Sequence, residues 1–242
     1  MEQSVKNRLV QIQSRMKQDL KKTMAFWIDY AYDETHGGFC TFLDLTGNRY
    51  AFEKPVWAQG RGLWMLSSVY QYDSNEYPYL EQIKKTYEFI RNFGFDNDGR
   101  MFFIVTQDGK PVQKRRYAFS ESFAAIGCLQ HHAITQDPSS YELAIHSYQI
   151  FASYCYGHLE TMPKYNPGVI QFKSLSEPMI LLKTAQIFET LDQKNKTRYQ
   201  ADQTFAIKRI MQHIVRENDA VFEYIPTSPT TVFLPKQRLM NP

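Results

Sequence analysis

Three strongly apolar stretches of helical length recur along the chain at intervals of about 60 residues, the spacing expected of a repeated supersecondary unit. They open at Pro55-Val56-Trp57-Ala58-Gln59-Gly60-Arg61-Gly62-Leu63-Trp64, at Tyr117-Ala118-Phe119-Ser120-Glu121-Ser122-Phe123 and at Ser176-Glu177-Pro178-Met179-Ile180-Leu181-Leu182. The segments between them carry one apolar stripe and one charged face. In one, Leu80, Ile83, Tyr87 and Ile90 face one way while Glu81, Lys84, Lys85, Glu88 and Arg91 face the other. The pattern predicts buried inner helices over 56–72, 117–135 and 177–191. It predicts half-buried outer helices from Leu80 onward, over 139–156 and over 197–217. A long first helix over 4–31 is marked by the stripe Val5, Leu9, Ile12, Met16, Leu20, Met24 and Trp27.

Turn signals fall between these helices. Thr46-Gly47-Asn48 predicts a hairpin within 39–51, and Gln107-Asp108-Gly109-Lys110 a second within 101–116. Segments 158–174 and 219–233 occupy the same place in later units. Alternating buried and half-buried helices joined by short hairpins describe an all-α toroid, with the hairpins at the rim where the inner helices begin. No linker interrupts the pattern, so 1–242 reads as one domain. A fourth apolar start would fall near residue 240 and the sequence stops at Pro242, so the toroid is expected to end partway round.

Polar groups at the inner-helix starts are the candidate chemistry. Arg61 sits one turn into an apolar helix, where a charge is costly without a partner. It is either half of a structural ion pair or a cation held over a substrate oxygen. Gln59 precedes it, Glu121 stands at the comparable place in the next inner helix, and Lys173 and Glu177 flank the start of the third. Trp57, Tyr117 and Phe119 at the same rim could stack on a sugar ring.

Composition narrows the classes. Hydrophobic residues are 43% of the 242, enough for a core, and aromatics are 15%, enough to furnish stacking faces as well. The net charge of +3 comes from 28 basic and 25 acidic residues that are interleaved, which argues against nucleic acid as a partner. Cys40, Cys128 and Cys155 lack metal-type spacing and cannot all pair with one another, which points to a reducing compartment. No apolar run reaches the roughly 20 residues of a membrane span. The six histidines fall at loops, outer helices and the far end of an inner helix, so each reads as a structurally bonded side chain. No metal, nucleotide-loop or serine-elbow motif occurs, and no metal or cofactor is expected.

In order along the chain, Phe26-Trp27, His36-Gly37-Gly38-Phe39, Val56-Trp57-Ala58-Gln59-Gly60-Arg61, Thr106-Gln107-Asp108-Gly109-Lys110-Pro111 and Phe119-Ser120-Glu121-Ser122-Phe123 resemble the N-acylglucosamine 2-epimerase family, called renin-binding protein in mammals. The resemblance implies an (α/α)6 barrel, of which this chain would supply about seven of twelve helices. It also implies interconversion of N-acetylglucosamine and N-acetylmannosamine by proton transfer at C2, with isomerisation or epimerisation of mannose, sulfoquinovose or cellobiose in other members. A cytoplasmic homodimer and stimulation by ATP as an allosteric effector are implied as well. By resemblance, Arg61 falls at the substrate-binding arginine, Lys173 at a substrate-contacting lysine and Glu121 at a motif residue. The family's Asn-Pro pair, here Asn241-Pro242, is followed by Gly-His, and both catalytic histidines lie beyond Pro242. The chain alone is therefore expected to be inactive. A toroid glycoside hydrolase using Glu121 and Glu177 as acid and base, and a non-catalytic fragment that binds a partner, are the alternatives.

Overall fold

A computed structural model describes residues 2–114, 117–159, 161, 172–216 and 219–227. Seven α-helices lie among them: α1 (Glu2–Phe26), α2 (Val56–Tyr72), α3 (Leu80–Phe93), α4 (Phe119–Thr135), α5 (Pro138–Tyr156), α6 (Ser176–Leu191) and α7 (Lys196–Met211). The predicted spans hold to within a few residues at most ends. The first helix continues as a π-helical turn, Trp27–Ala31, and α7 stops at Met211 rather than 217.

Local chemistry explains the punctuation. Asp137 caps α5 by accepting from the Ser139 N–H at 2.9 Å, Pro138 occupies its first turn, and Gly157 ends it with φ of +78°. The Asp108-Gly109 turn forms as expected, with Gly109 at φ +92° between β2 (Ile104–Val105) and β3 (Pro111–Gln113).

The inner helices α2 and α4 run side by side in the same direction. Trp57 contacts Phe123 at one end and Gln71 bonds Gln130 at the other. Their backbones touch because both carry glycine at the crossing. A Cβ on Gly60 would lie 2.5 Å from Ala124 N, and one on Gly127 would lie 2.5 Å from Gly60 O. Helix α6 lines the same face, with Ile180 near Phe119 and Phe123, and Gln186 and Thr190 near Gln130.

The outer helices close the back. Tyr87 of α3 stacks on His131 of α4 at 4.3 Å. Tyr148 of α5 meets Phe188 of α6 and Tyr199 of α7, and donates to Asp202 at 2.7 Å. Only the last turns of α1 join this core, through Met24. Its stripe does not pack as an amphipathic face would: Val5, Leu9, Ile12 and Met16 are 46–65% exposed, and nothing among the described residues covers them.

Short strands gather at the rim. β1 (Lys54–Pro55) pairs with β2, and β2 with β3. The expected hairpin at 39–51 reduces to a single bridge, Leu43 to Arg49, around a turn held by Asp44. β5 (Ile214–Val215) pairs with β6 (Ala220–Val221), while β7 (Tyr224–Pro226) crosses to β4 (Phe172–Ser174). Of the predicted segments 158–174 and 219–233, residues 158, 159, 161, 172–174 and 219–227 are described. The rest of them, Arg115, Arg116 and the Asn241-Pro242 pair lie outside the described residues.

Candidate functional site

The N-termini of α2, α4 and α6 open on one rim, and a cleft of about 180 Å³ lies between them. Trp57, Phe103, Tyr117, Phe119, Phe123 and Ile180 form its walls, with Ser120 as the polar exception. Three helix N-termini at one rim give the region a positive bias that suits a developing oxyanion.

Arg61, one turn along α2 from Trp57, lies against two of these walls. Its guanidinium lies 5.7 Å from the Trp57 ring and 5.4 Å from the Phe123 ring. It is exposed and makes no ion pair or hydrogen bond among the described residues. Of the two roles open for it, the structural ion pair is therefore absent from the described contacts. The guanidinium is held by aromatic faces and its N–H groups remain available.

Gln59 is placed differently from the rim position expected of it. It is fully buried; its Oε1 accepts from Phe39 N at 2.7 Å, and its Nε2 donates to Phe39 O at 2.9 Å and Pro55 O at 3.1 Å. The side chain completes a backbone pattern for the 38–39 loop. Gly38, at φ +74°, comes so near Gln59 Oε1 that a Cβ there would lie 2.5 Å from it. Gln59 fixes the loop beside α2 and has no N–H left over for a ligand.

Glu121 is also inside the wall. It is fully buried, and its Oε1 accepts from Arg100 Nε at 2.6 Å and from Met101 N at 3.1 Å. Its Oε2 has no partner among the described residues. The expected grouping of Arg61 with Glu121 and Lys173 does not form through any described contact. Arg100, in the loop before β2, holds Glu121 instead, and sequence reasoning missed it because nothing in the local pattern distinguishes that arginine. Lys173 lies on β4, half-buried and paired in register with Ile225. Its charge helps lower the proton affinity of nearby His213, where burial is the larger cause.

Glu177 is held at the start of α6 by Tyr154 Oη at 3.1 Å and Arg209 Nη2 at 3.4 Å. Burial raises its carboxyl above the usual range, while Arg209 and Tyr154 oppose that rise. Neither Glu121 nor Glu177 lines the cleft, and no histidine does. His36 bonds Asp33, His132 bonds Asp137 O, His146 bonds Gly99 O, and His213 bonds Phe222 O. Among the described residues no group of three or more His, Cys, Asp or Glu side chains could hold a metal ion. No described helix is long and apolar enough to cross a membrane.

Inner helices that begin at a strand-bearing rim, backed by outer helices, define the α/α toroid class. In sequence the chain is similar to N-acylglucosamine 2-epimerases. The rat N-acylglucosamine 2-epimerase is 26% identical over 216 residues, which are 87% of this chain and 52% of that protein. No family model matches. Among solved structures, the cellobiose 2-epimerase of Spirochaeta thermophila matches 86% of this chain and 55% of its own with a TM-score of 0.74 at 20% identity. A D-mannose isomerase matches 88% and 55% with a TM-score of 0.71 at 15% identity. The chain spans about half the length of the curated relatives it matches.

Proposed function

We propose that this chain supplies the cationic, aromatic wall of a sugar 2-epimerase site, of the N-acetylglucosamine to N-acetylmannosamine type. The observation that carries the reading is Arg61, poised over the cleft walls Trp57 and Phe123 with no carboxylate partner among the described residues. Epimerisation beside a carbonyl removes the C2 proton on one face and returns one on the other. Charge develops on the C1 oxygen of the enediolate, where a guanidinium stabilises it. The aromatic walls take the apolar face of the ring.

The reaction also needs two groups of near-neutral pKa, one on each face. The cleft lining contains neither, so the isolated chain binds sugar without turning it over. Lys173 is retained in this reading as a second, more distant cation on the rim, ATP as an effector and homodimerisation as family expectations. The hydrolase reading is weaker, because the two carboxylates it requires are engaged by Arg100 and Arg209 rather than aimed into the cleft.

Binding is tested with the chain labelled with 5-fluorotryptophan. Its three tryptophans, Trp27, Trp57 and Trp64, give three fluorine resonances. N-acetylglucosamine should shift the Trp57 signal saturably, and Arg61→Ala should weaken that response by about tenfold or more, the worth of a charge-assisted hydrogen bond. A Trp57 signal that ignores the sugar would overturn the proposal.

A further inference from the structure

The concave face of α2, α4 and α6 does not end at the Arg61 cleft. Ten residues further along α2, roughly 15 Å at the helical rise, the same wall opens into a second cleft of about 290 Å³. That is near the lower bound of small-molecule sites, ~300 Å³, and larger than the rim cleft. Its lining is of another kind. Trp64, Ser68 and Gln71 project from one face of α2; Lys183, Gln186 and Thr190 project from one face of α6; Gln130 stands between them on α4.

Gln130 is 5% exposed, which is unusual for a side-chain amide. Its Nε2 donates to Gln71 Oε1 at 2.5 Å, clasping α2 to α4. That bond leaves the Gln130 carbonyl and the Gln71 amino group without a partner among the described residues. A buried amide held in place with an unspent acceptor, beside a second amide with unspent donors, is a preorganised hydrogen-bonding pair. The half-buried Trp64 indole adds a stacking face beside it.

We infer that this floor cleft is a second binding site, separate from the Arg61 rim, for a small uncharged polyhydroxylated ligand such as a sugar or polyol. The chemistry selects that class. Amides and hydroxyls offer both donors and acceptors, as vicinal hydroxyls require. The lining holds no carboxylate to attract a cation, and Lys183 is its single charge. The apolar share of the lining, Trp64, Ile187 and Leu191, suits the C–H face of a ring.

The fluorotryptophan-labelled chain separates this site from the rim, because Trp64 reports the floor, Trp57 the rim and Trp27 neither. D-glucose and sorbitol are titrated in turn, with inorganic phosphate as the contrasting probe. The expected result is a saturable Trp64 shift with glucose and sorbitol that persists in Arg61→Ala and weakens about tenfold or more in Gln130→Leu. Should Gln130→Leu lose the native Trp27 resonance, the double variant Gln186→Ala/Thr190→Ala, at two exposed positions, carries the test with the same expected weakening. A Trp64 signal that is unmoved by both polyols, that moves only with phosphate, or that drifts without saturation alongside Trp27 overturns the inference. Failure at Trp57 with success at Trp64 would instead count against the epimerase wall alone.

Discussion

Lys54→Met removes the buried cation that ties the rim together. Lys54 is fully buried, and its Nζ donates to Asp33 Oδ2 at 2.8 Å, to Gly37 O at 2.7 Å and to Gln107 O at 2.9 Å. All three ammonium protons are thus used, and the same nitrogen lies 4.2 Å from the centre of the Phe89 ring. The three acceptors come from two separate loops, which Lys54 joins to β1, directly before α2 and the Trp57 and Arg61 it carries. Methionine keeps most of the volume but leaves Asp33, itself 3% exposed, without its buried cation. Breaking a buried pair from one side costs about 3–5 kcal/mol, a large share of the ~5–15 kcal/mol available to a domain.

Urea unfolding at neutral pH reads the loss directly. The double variant Lys54→Met/Asp33→Asn should recover part of it, because the stranded charge is gone. The acid limb supplies a second check. Burial alone would push the Asp33 carboxyl up, but the Lys54 hydrogen bond, the His36 N–H and the Lys54 charge hold it down at about 2. A carboxyl depressed in the folded state contributes stability that is present above its unfolded pKa, near 4, and is lost as the pH falls toward 2. In Lys54→Met that acid loss should shrink or reverse, because losing Lys54 lets burial raise the Asp33 carboxyl and protonation then relieves the stranded charge. A single variant that loses less than about 1 kcal/mol would refute the claim that this pair organises the rim.

Other outcomes follow from the same contacts. Gly60→Ala places a methyl against the backbone of α4 and should destabilise by about 1–3 kcal/mol in denaturant unfolding, with a compensating shift visible in the Trp57 environment. His131 is buried against Tyr87, and burial lowers its pKa to about 4. Because the folded state resists protonation there, stability should fall as the pH drops from about 6.5 toward 4, and His131→Phe should flatten that slope in urea midpoints taken across the window. The uncovered stripe on α1 should drive self-association. Leu9→Asp/Met16→Asp should lower the weight-average mass in sedimentation at high concentration without changing helicity.

The helices were legible in the sequence because periodicity is a local signal. Arg61 and Trp57 were legible for a related reason: a cation on an apolar helix start stands out against its neighbours. Gln59 and Glu121 were misplaced for the converse reason. A polar residue at a helix start looks alike whether it faces a ligand or a backbone, and only the fold shows Phe39 and Arg100 as the partners. The β4 to β7 pairing joins residues about 50 apart and has no local signature. The floor cleft was invisible because Trp64, Gln71 and Gln130 fit a buried helix equally well until α2, α4 and α6 are laid side by side.

The central claim is that this chain holds the cation of an epimerase site without its bases. Hydrogen exchange at C2 of N-acetylmannosamine in deuterated water tests it most directly, since exchange registers even one-sided proton abstraction. The account predicts exchange at the buffer rate with the 242-residue chain, together with saturable sugar binding at Trp57. Exchange well above the buffer rate, abolished by Arg61→Ala, would contradict it by revealing a base within reach of the cleft.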